Sequence, residues 1–141
     1  MSRRIWISDQ VMISPSFHLN ELVDILKEGI SAIIDLRAED KDDEKELQVR
    51  GLAFLYVPIR DLDVPTLKQL EIILNFVNPL LDQNKKVLIH CQYGLGRSPL
   101  VALAILIKRG MSVVDAMDLL EKRHSGYVLN EEQLEFNKCI K

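Results

Sequence analysis

The sequence predicts an α/β fold in which helices cover both faces of a central, mostly parallel β-sheet. Short apolar segments alternate along the chain with segments whose apolar residues recur every three or four positions. The short segments are nearly continuous in apolar character, which is typical of strands buried on both faces. This alternation predicts a single three-layer domain over residues 1–141.

The spacing of apolar residues locates each predicted strand and helix. The predicted central strands are residues 32–36, 54–57 and 87–90. The predicted helices are residues 19–26, 66–78, 99–109, 112–123 and 130–140. Thr66 and Gln69 form a capping box at the start of the second helix. Pro79 should end or kink that helix, because proline lacks the backbone donor.

The composition excludes several classes of protein. Hydrophobic residues make up 48% and charged residues 28% of the chain, and no apolar run approaches the ~18 residues of a membrane helix. The net charge of −3 argues against a nucleic-acid binder, which normally has a strongly basic face. The first residues lack the apolar stretch of a secretory signal. We therefore expect a cytoplasmic monomer that binds neither nucleic acid nor membrane.

The two cysteines lie in different parts of the predicted fold. Cys91 follows a predicted strand, whereas Cys139 lies near the end of the sequence. This placement does not suggest a disulfide, so both should be thiols in a reducing compartment. Cys139 is expected to be structural or incidental.

The segment between the last predicted strand and the following helix has the features of an anion site. Backbone N–H groups at a helix N-terminus are unpaired and carry partial positive charge, so they can hold a phosphate. Gly94 and Gly96 should let the backbone curl into such a cradle. Arg97 can add two parallel hydrogen bonds to phosphoryl oxygens. The residues expected to surround the phosphate are Gln92, Tyr93, Gly94, Leu95, Gly96 and Arg97.

The same positive field favours the thiolate form of Cys91, which is the nucleophilic form. The hydroxyl of Ser98 could hydrogen-bond to that sulfur and ease its departure from phosphorus. A lone cysteine is usually a small buried apolar residue. The strand, glycines, arginine and helix around Cys91 make catalysis the better interpretation.

These residues resemble the signature of the cysteine-based protein tyrosine phosphatases: five residues separate Cys91 from Arg97, and Ser98 follows. The segments 35–37, 58–61 and 123–133 look like the small dual-specificity and archaeal-type branch. The resemblance implies a phosphocysteine intermediate, no metal or other cofactor, and a general acid from an upstream loop. His124-Ser125 and Ser98-Pro99 depart from the family pattern.

The resemblance also assigns roles outside the cysteine loop. Asp61 and Asp63 both lie between Pro58 and Pro65, and the family pattern selects Asp61 as the general acid. His90 is expected to support the thiolate. Gln133 matches a glutamine that helps position the hydrolytic water, but it equally suits a helix-capping partner three residues after Asn130.

Acidic residues elsewhere are interpreted as structural. Asp35 and Arg37 should brace neighbouring loops without belonging to the site. The acidic run 39–46 predicts a solvated, partly helical surface.

The predicted function is hydrolysis of phosphomonoesters, with phosphotyrosine in proteins or peptides as the first choice and phosphoserine or phosphothreonine as further substrates. Phosphoinositides and RNA 5′-phosphates are alternative substrates. A module that binds phosphorylated partners without turnover is a second class, and a rhodanese-type sulfur-transfer enzyme is a third. Cys91, Arg97 and Asp61 together favour the phosphatase over both.

Overall fold

The computed structural model describes residues 4–140, which contain a five-stranded sheet with the order β1-β2-β5-β3-β4. Its edge strand β1 pairs antiparallel with β2, and all other neighbours are parallel. The strands are β1 (Ile5–Trp6), β2 (Val11–Ser14), β3 (Ile30–Arg37), β4 (Ala53–Ile59) and β5 (Lys86–His90). The predicted α/β class and mostly parallel sheet are confirmed.

Six helices accompany the sheet in the described part of the chain. They are α1 (Leu22–Lys27, after a 3₁₀ turn at Leu19–Glu21), α2 (Glu44–Val49), α3 (Leu67–Asp82), α4 (Arg97–Lys108), α5 (Val113–Arg123) and α6 (Glu131–Cys139). None of these helices is both long enough and apolar enough to cross a bilayer.

The sheet has a helical layer on each face because successive strand residues point to opposite sides. In β5, Leu88 packs with Leu22 of α1 and Leu47 of α2. Its neighbours Val87 and Ile89 pack on the other face in the larger core. That core contains buried residues from α3, α4 and α5, and α4 is buried around most of its circumference. The three-layer arrangement follows from this alternation.

The observed secondary structure differs from the predicted one at two places. Strands β1 and β2 were not predicted, since two and four residues are too short to show a clear period. Of the two effects predicted for Pro79, an end to α3 is wrong, because the helix continues to Asp82, and a kink stays a prediction. The loss of one backbone hydrogen bond near the end of the helix is offset by packing of its last turn, where Leu81 is buried.

The parallel strands bring four loops to one edge of the sheet. Strands β2, β3, β4 and β5 all end at this edge, because parallel strands share their direction. The loops that follow them are residues 15–18, the 38–43 loop, the Asp61 loop (residues 60–66) and the cysteine loop (residues 91–96). Residues far apart in sequence therefore meet there.

Candidate active site

The thiol of Cys91 lies at the point where β5 gives way to α4. Its Sγ accepts a hydrogen bond from the backbone N–H of Gly94 at 3.2 Å and lies 3.3 Å from Oγ of Ser98. Both Cys91 and Ser98 are buried. Helix α4 begins at Arg97, so its unpaired N–H groups lie in the cysteine loop and its first turn. These donors and the hydroxyl stabilise negative charge on sulfur.

The two glycines of the cysteine loop are needed for different reasons. Gly94 has φ +74°, and a Cβ there would lie 2.8 Å from the backbone nitrogen of Pro15. Gly96 has φ −127° and ψ −68°, so it does not adopt the left-handed conformation of Gly94. A Cβ at Gly96 would instead lie 3.1 Å from the carbonyl oxygen of Val128, so the constraint there is space.

Arg97 is buried, and three of its N–H groups are already occupied. Nη1 and Nη2 each donate to one carboxylate oxygen of Glu39 at 2.7 Å, and Nη1 also donates to the carbonyl of Ile59 at 2.9 Å. A guanidinium has five N–H donors, so one on Nη2 and the one on Nε are left. Nε has no hydrogen-bond partner among the described residues, although Oδ1 of Asp61 lies 3.7 Å away. The two free donors form a fork suited to two phosphoryl oxygens.

The pair between Arg97 and Glu39 affects the titration of both groups. Burial alone would lower the pKa of Arg97, but the hydrogen bonds that Arg97 donates to Glu39 and the negative charges around it hold that pKa above its ordinary value. The hydrogen bonds from Arg97 lower the pKa of Glu39 from 4.5 to about 2. Glu39 is therefore ionised at neutral pH and anchors the far side of the guanidinium.

A cleft of about 150 Å³ opens above the thiol. It is lined by Asp61, Leu62, Cys91, Tyr93, Leu95, Gly96, Arg97, Val128 and Gln133. Asp61 thus lies beside the sulfur and the arginine. The side chain of Asp63 pairs instead with the exposed Arg60 at 3.4 Å and does not line this cleft. A larger, more open depression near Arg4 contains none of the predicted site residues.

The Asp61 loop holds a strained turn next to the carboxyl group. Leu62 has φ +73°, a left-handed conformation that costs a non-glycine residue roughly 1–2 kcal/mol. Its N–H donates to Oδ1 of Asp61 at 3.0 Å. The exposed side chain of Leu62 stands at the rim of the cleft. Strain that persists at such a position must be held by contacts from outside the loop.

His90 belongs to a buried ionic network behind Cys91. Its Nε2 lies 2.6 Å from Oδ2 of Asp42, its ring packs on Phe17, and Nδ1 has no partner in the described part of the chain. Arg37 donates to both carboxylate oxygens of Asp35 and to Asp42. Asp35, Asp42 and His90 are close enough together to be considered as metal ligands. Because Arg37 and His90 already bind these carboxylates, the group is better described as an ion-pair network that braces the 38–43 loop.

The remaining predicted residues lie in or beside the cleft. The side chain of Tyr93 is largely exposed. The side chain of Gln133 is buried and completes a capping box with Asn130. Its Nε2 also donates to the carbonyl of Asp63 at 3.3 Å. The capping role is confirmed, and the position of Gln133 in the cleft lining leaves its role toward water as a prediction.

Comparison with known proteins agrees with this geometry. Residues 12–111 match the family described as "Tc-R-P: Polymorphic toxin system, DSP-PTPase phosphatase". The chain belongs to this family. It is thus a member of the cysteine-based protein tyrosine phosphatase superfamily, of the small dual-specificity type, as the signature around Cys91 and Arg97 indicated.

Individual relatives of this DSP-PTPase family member support the same placement. The chain is 28% identical over 115 residues to protein tyrosine phosphatase type IVA 3 of Mus musculus, a match that covers 80% of this chain and 65% of the relative. The structure of Tk-PTP in the active form is 32% identical, with a TM-score of 0.86 over 97% of this chain and 95% of that one. PTPMT1 in complex with PI(5)P is 23% identical and shares the fold, with a TM-score of 0.85 over 97% and 92% of the two chains.

Sequence reasoning missed the contributions of the 38–43 loop to the site. The expectation of a solvated acidic surface is correct for the helix α2 and wrong for Asp42, whose largely buried side chain binds His90. Glu39 is exposed as expected, but it also binds Arg97. Both carboxylates lie in a run of charges, so no local pattern distinguished them from their exposed neighbours. Only the shared edge of the parallel sheet brings them to the site.

Replacing Glu39 by Gln should lower kcat/KM by roughly tenfold, because the variant loses the charge-assisted bonds that orient Arg97. It should also lose stability in a pH-dependent way. The folded-state pKa of Glu39 is lowered, so its contribution to the free energy of unfolding is complete above pH 4.5 and disappears as the pH falls through about 2. Urea unfolding of both proteins between pH 3 and 7 measures this. A stability difference that does not shrink toward pH 3 would contradict the assignment.

Proposed function

We propose that this chain hydrolyses phosphomonoesters through a phosphocysteine intermediate, with Cys91 as the nucleophile. The observation that carries the proposal is the pair of unused, converging donors on Arg97 in the cleft that contains the sulfur of Cys91. The fork and the amides at the start of α4 can hold a phosphoryl group over the thiolate. The bond formed is then between sulfur and phosphorus.

Each half-reaction uses residues that line the cleft or contact the sulfur of Cys91. Thiolate attack on phosphorus breaks the ester P–O bond, and the leaving oxygen takes a proton from the carboxyl group of Asp61. Water then attacks the phosphocysteine while the carboxylate of Asp61 takes a proton from it. The S–P bond breaks, and the hydroxyl of Ser98 donates to the departing thiolate at its 3.3 Å position. Arg97 stabilises the charge on the equatorial oxygens in both steps.

The rim of the cleft supports phosphotyrosine in proteins or peptides as the preferred substrate. Four exposed apolar side chains surround the cleft: Leu62, Tyr93, Leu95 and Val128. They offer an apolar surface to an aromatic ring whose phosphate reaches the sulfur. Among the described lining residues, Arg97 is the sole cation, whereas an inositol polyphosphate would require further positive charges.

Other functions are retained as alternatives. PTPMT1, which shares the fold, was crystallised with the phosphoinositide PI(5)P, and this observation favours a phosphoinositide as the second candidate substrate. A binding module without turnover would not need Asp61 beside the thiol. The chain spans 65% of the length of the curated relatives, and its activity, substrates and partners are part of the proposal. We further propose that it acts as a monomer in the cytoplasm, where a thiolate nucleophile stays reduced.

The decisive test compares turnover of several phosphomonoester substrates, with the Cys91→Ser variant as the blank. We expect hydrolysis of phosphotyrosine peptides with kcat/KM at least roughly tenfold above that for PI(5)P or RNA 5′-phosphates, because the apolar rim contributes binding energy only to the aromatic substrate. Cys91→Ser should abolish turnover, since a serine hydroxyl is hardly ionised. Phosphate release is the measurement. Turnover by Cys91→Ser within tenfold of the wild type would refute the nucleophile, and a preference for PI(5)P would refute the substrate.

The apolar rim can be tested separately from the phosphate cradle. Val128→Ser should lower kcat/KM for a phosphotyrosine peptide by roughly three- to tenfold through lost apolar contact, while inhibition by inorganic phosphate stays unchanged. Val49→Ser is the matched control, since Val49 is an exposed residue of α2 that does not line the cleft. Equal effects of the two substitutions would argue against recognition by the rim.

The general acid can be identified by comparing two neighbouring carboxylates. Asp61→Ala should lower kcat by roughly 10²–10⁴-fold with little change in KM, because the leaving oxygen loses its proton donor. The loss should be larger for alkyl phosphates than for activated aryl phosphates. Asp63→Ala should cost much less, because that side chain points to Arg60. If Asp63→Ala instead shows the large loss and removes the basic limb of the pH–rate profile, the acid is Asp63.

A further inference from the structure

The position of Asp61 depends on contacts that its own loop does not supply. Within the Asp61 loop, the main hydrogen bonds are those from the N–H of Leu62 to Asp61 and from the N–H of Asp63 to the carbonyl of Arg60. Both bonds are local and leave the carbonyls of Leu62 and Asp63 free to bind other elements. The left-handed turn at Leu62 makes this conformation one that the loop would not favour alone.

Two side-chain amides at the start of α6 bind those carbonyls. Nδ2 of Asn130 donates to the carbonyl of Leu62 at 2.9 Å, and Nε2 of Gln133 donates to that of Asp63 at 3.3 Å. The other ends of the same side chains form the capping box: Oδ1 of Asn130 accepts from the N–H of Gln133 at 2.8 Å, and Oε1 of Gln133 accepts from the N–H of Asn130 at 3.0 Å. A capping box made of Ser and Glu would have no carboxamide nitrogens to make these two bonds.

The segment that carries these amides is also fixed to the cysteine loop. The N–H of Val128 donates to the carbonyl of Leu95 at 2.7 Å, and the carbonyl of Val128 approaches Gly96 closely. Residues 128–133 therefore contact the loop of the nucleophile at one end and the loop of the acid at the other. This segment therefore links the loop of the nucleophile to the loop of the acid.

We propose that Asn130 is a positioning residue for catalysis, which holds the Asp61 loop against the cleft through the carbonyl of Leu62. This inference rests on the proposed function, since it acts through the proton donated by Asp61. Misplacement of a catalytic group by about 1 Å can cost on the order of 10²-fold in rate. Loss of the Asn130 bond should therefore weaken proton transfer while nucleophilic attack by Cys91 is retained.

The test separates the positioning role of Asn130 from its capping role. Asn130→Ser and Asn130→Asp both keep a good N-cap. Neither should donate to the carbonyl of Leu62, because the carboxylate of Asp has no donor and the hydroxyl of Ser lies one bond short of the position of the amide nitrogen. We expect thermal unfolding close to that of the wild type and a roughly tenfold loss of kcat for phenyl phosphate. For 2,4-dinitrophenyl phosphate, whose leaving group needs no proton, the loss should be less than about twofold. Asn75→Ser on the exposed side of α3 is the control and should change neither rate.

A double-mutant cycle with Asp61→Ala decides whether the effect passes through the acid. Asn130→Ser should cause no further loss of kcat in the Asp61→Ala background, because the proton donor is already absent. Equal losses in both backgrounds, equal losses for both leaving groups, or no loss at all would overturn the inference. The single variant Asp61→Ala tests the proposed acid independently: if it leaves the rate on phenyl phosphate unchanged, the proposed mechanism fails and the inference fails with it.

Discussion

The salt bridge between Arg97 and Glu39 is the interaction on which the cleft depends. Arg97 carries a full positive charge and is almost wholly removed from water, which costs several kcal/mol unless other groups replace the lost hydration. Glu39 and the carbonyl of Ile59 supply three hydrogen bonds to it. One of the donors that they leave free, Nε, lies 3.7 Å from Oδ1 of Asp61, in the lining of the cleft that contains Cys91. Because Glu39 and Ile59 occupy the other donors of Arg97, a bound phosphate can accept only from the donors that remain free.

This arrangement requires three strands to end at the same place. Glu39 follows β3, Ile59 ends β4, and Arg97 begins the helix after β5. Parallel pairing of β3 with both neighbours brings these ends together. The buried pair of Asp35 and Arg37 then turns the 38–43 loop back toward β5, because the N–H of Asp42 also donates to Asp35 at 2.8 Å. The carboxylate of Asp42 reaches His90 as a result.

The sequence was most informative where the chemistry is local. The position of Cys91 and Ser98 within one strand-loop-helix segment predicted the contact of the Ser98 hydroxyl with the sulfur. The partners of that segment could not be predicted in the same way, because Glu39 lies 58 residues from Arg97 and Asp42 lies 48 residues from His90. Contacts over such separations depend on strand order and register, which residue patterns did not provide.

The same limit applies to Asn130 and Gln133. Their three-residue spacing indicates a capping box, and that role uses the oxygen of each carboxamide. What the nitrogens bind depends on where the Asp61 loop lies, which is a tertiary property. Gln69, in the capping box of α3, likewise uses its nitrogen to bind the carbonyl of Pro58 at 3.0 Å. Helix caps thus hold the chain on both sides of Asp61, at positions where the sequence shows only the cap.

The charges in the cleft restrict the state in which a phosphate dianion can bind. Glu39 already offsets the charge of Arg97, while the thiolate of Cys91 and an ionised Asp61 would each repel the dianion. The attraction that is left comes from the amides at the start of α4 and from the free fork of Arg97. A proton on Asp61 removes one of the two repulsive charges. The proposed mechanism requires that same protonated state for departure of the leaving oxygen, so substrate binding and general acid catalysis favour the same form of the cleft.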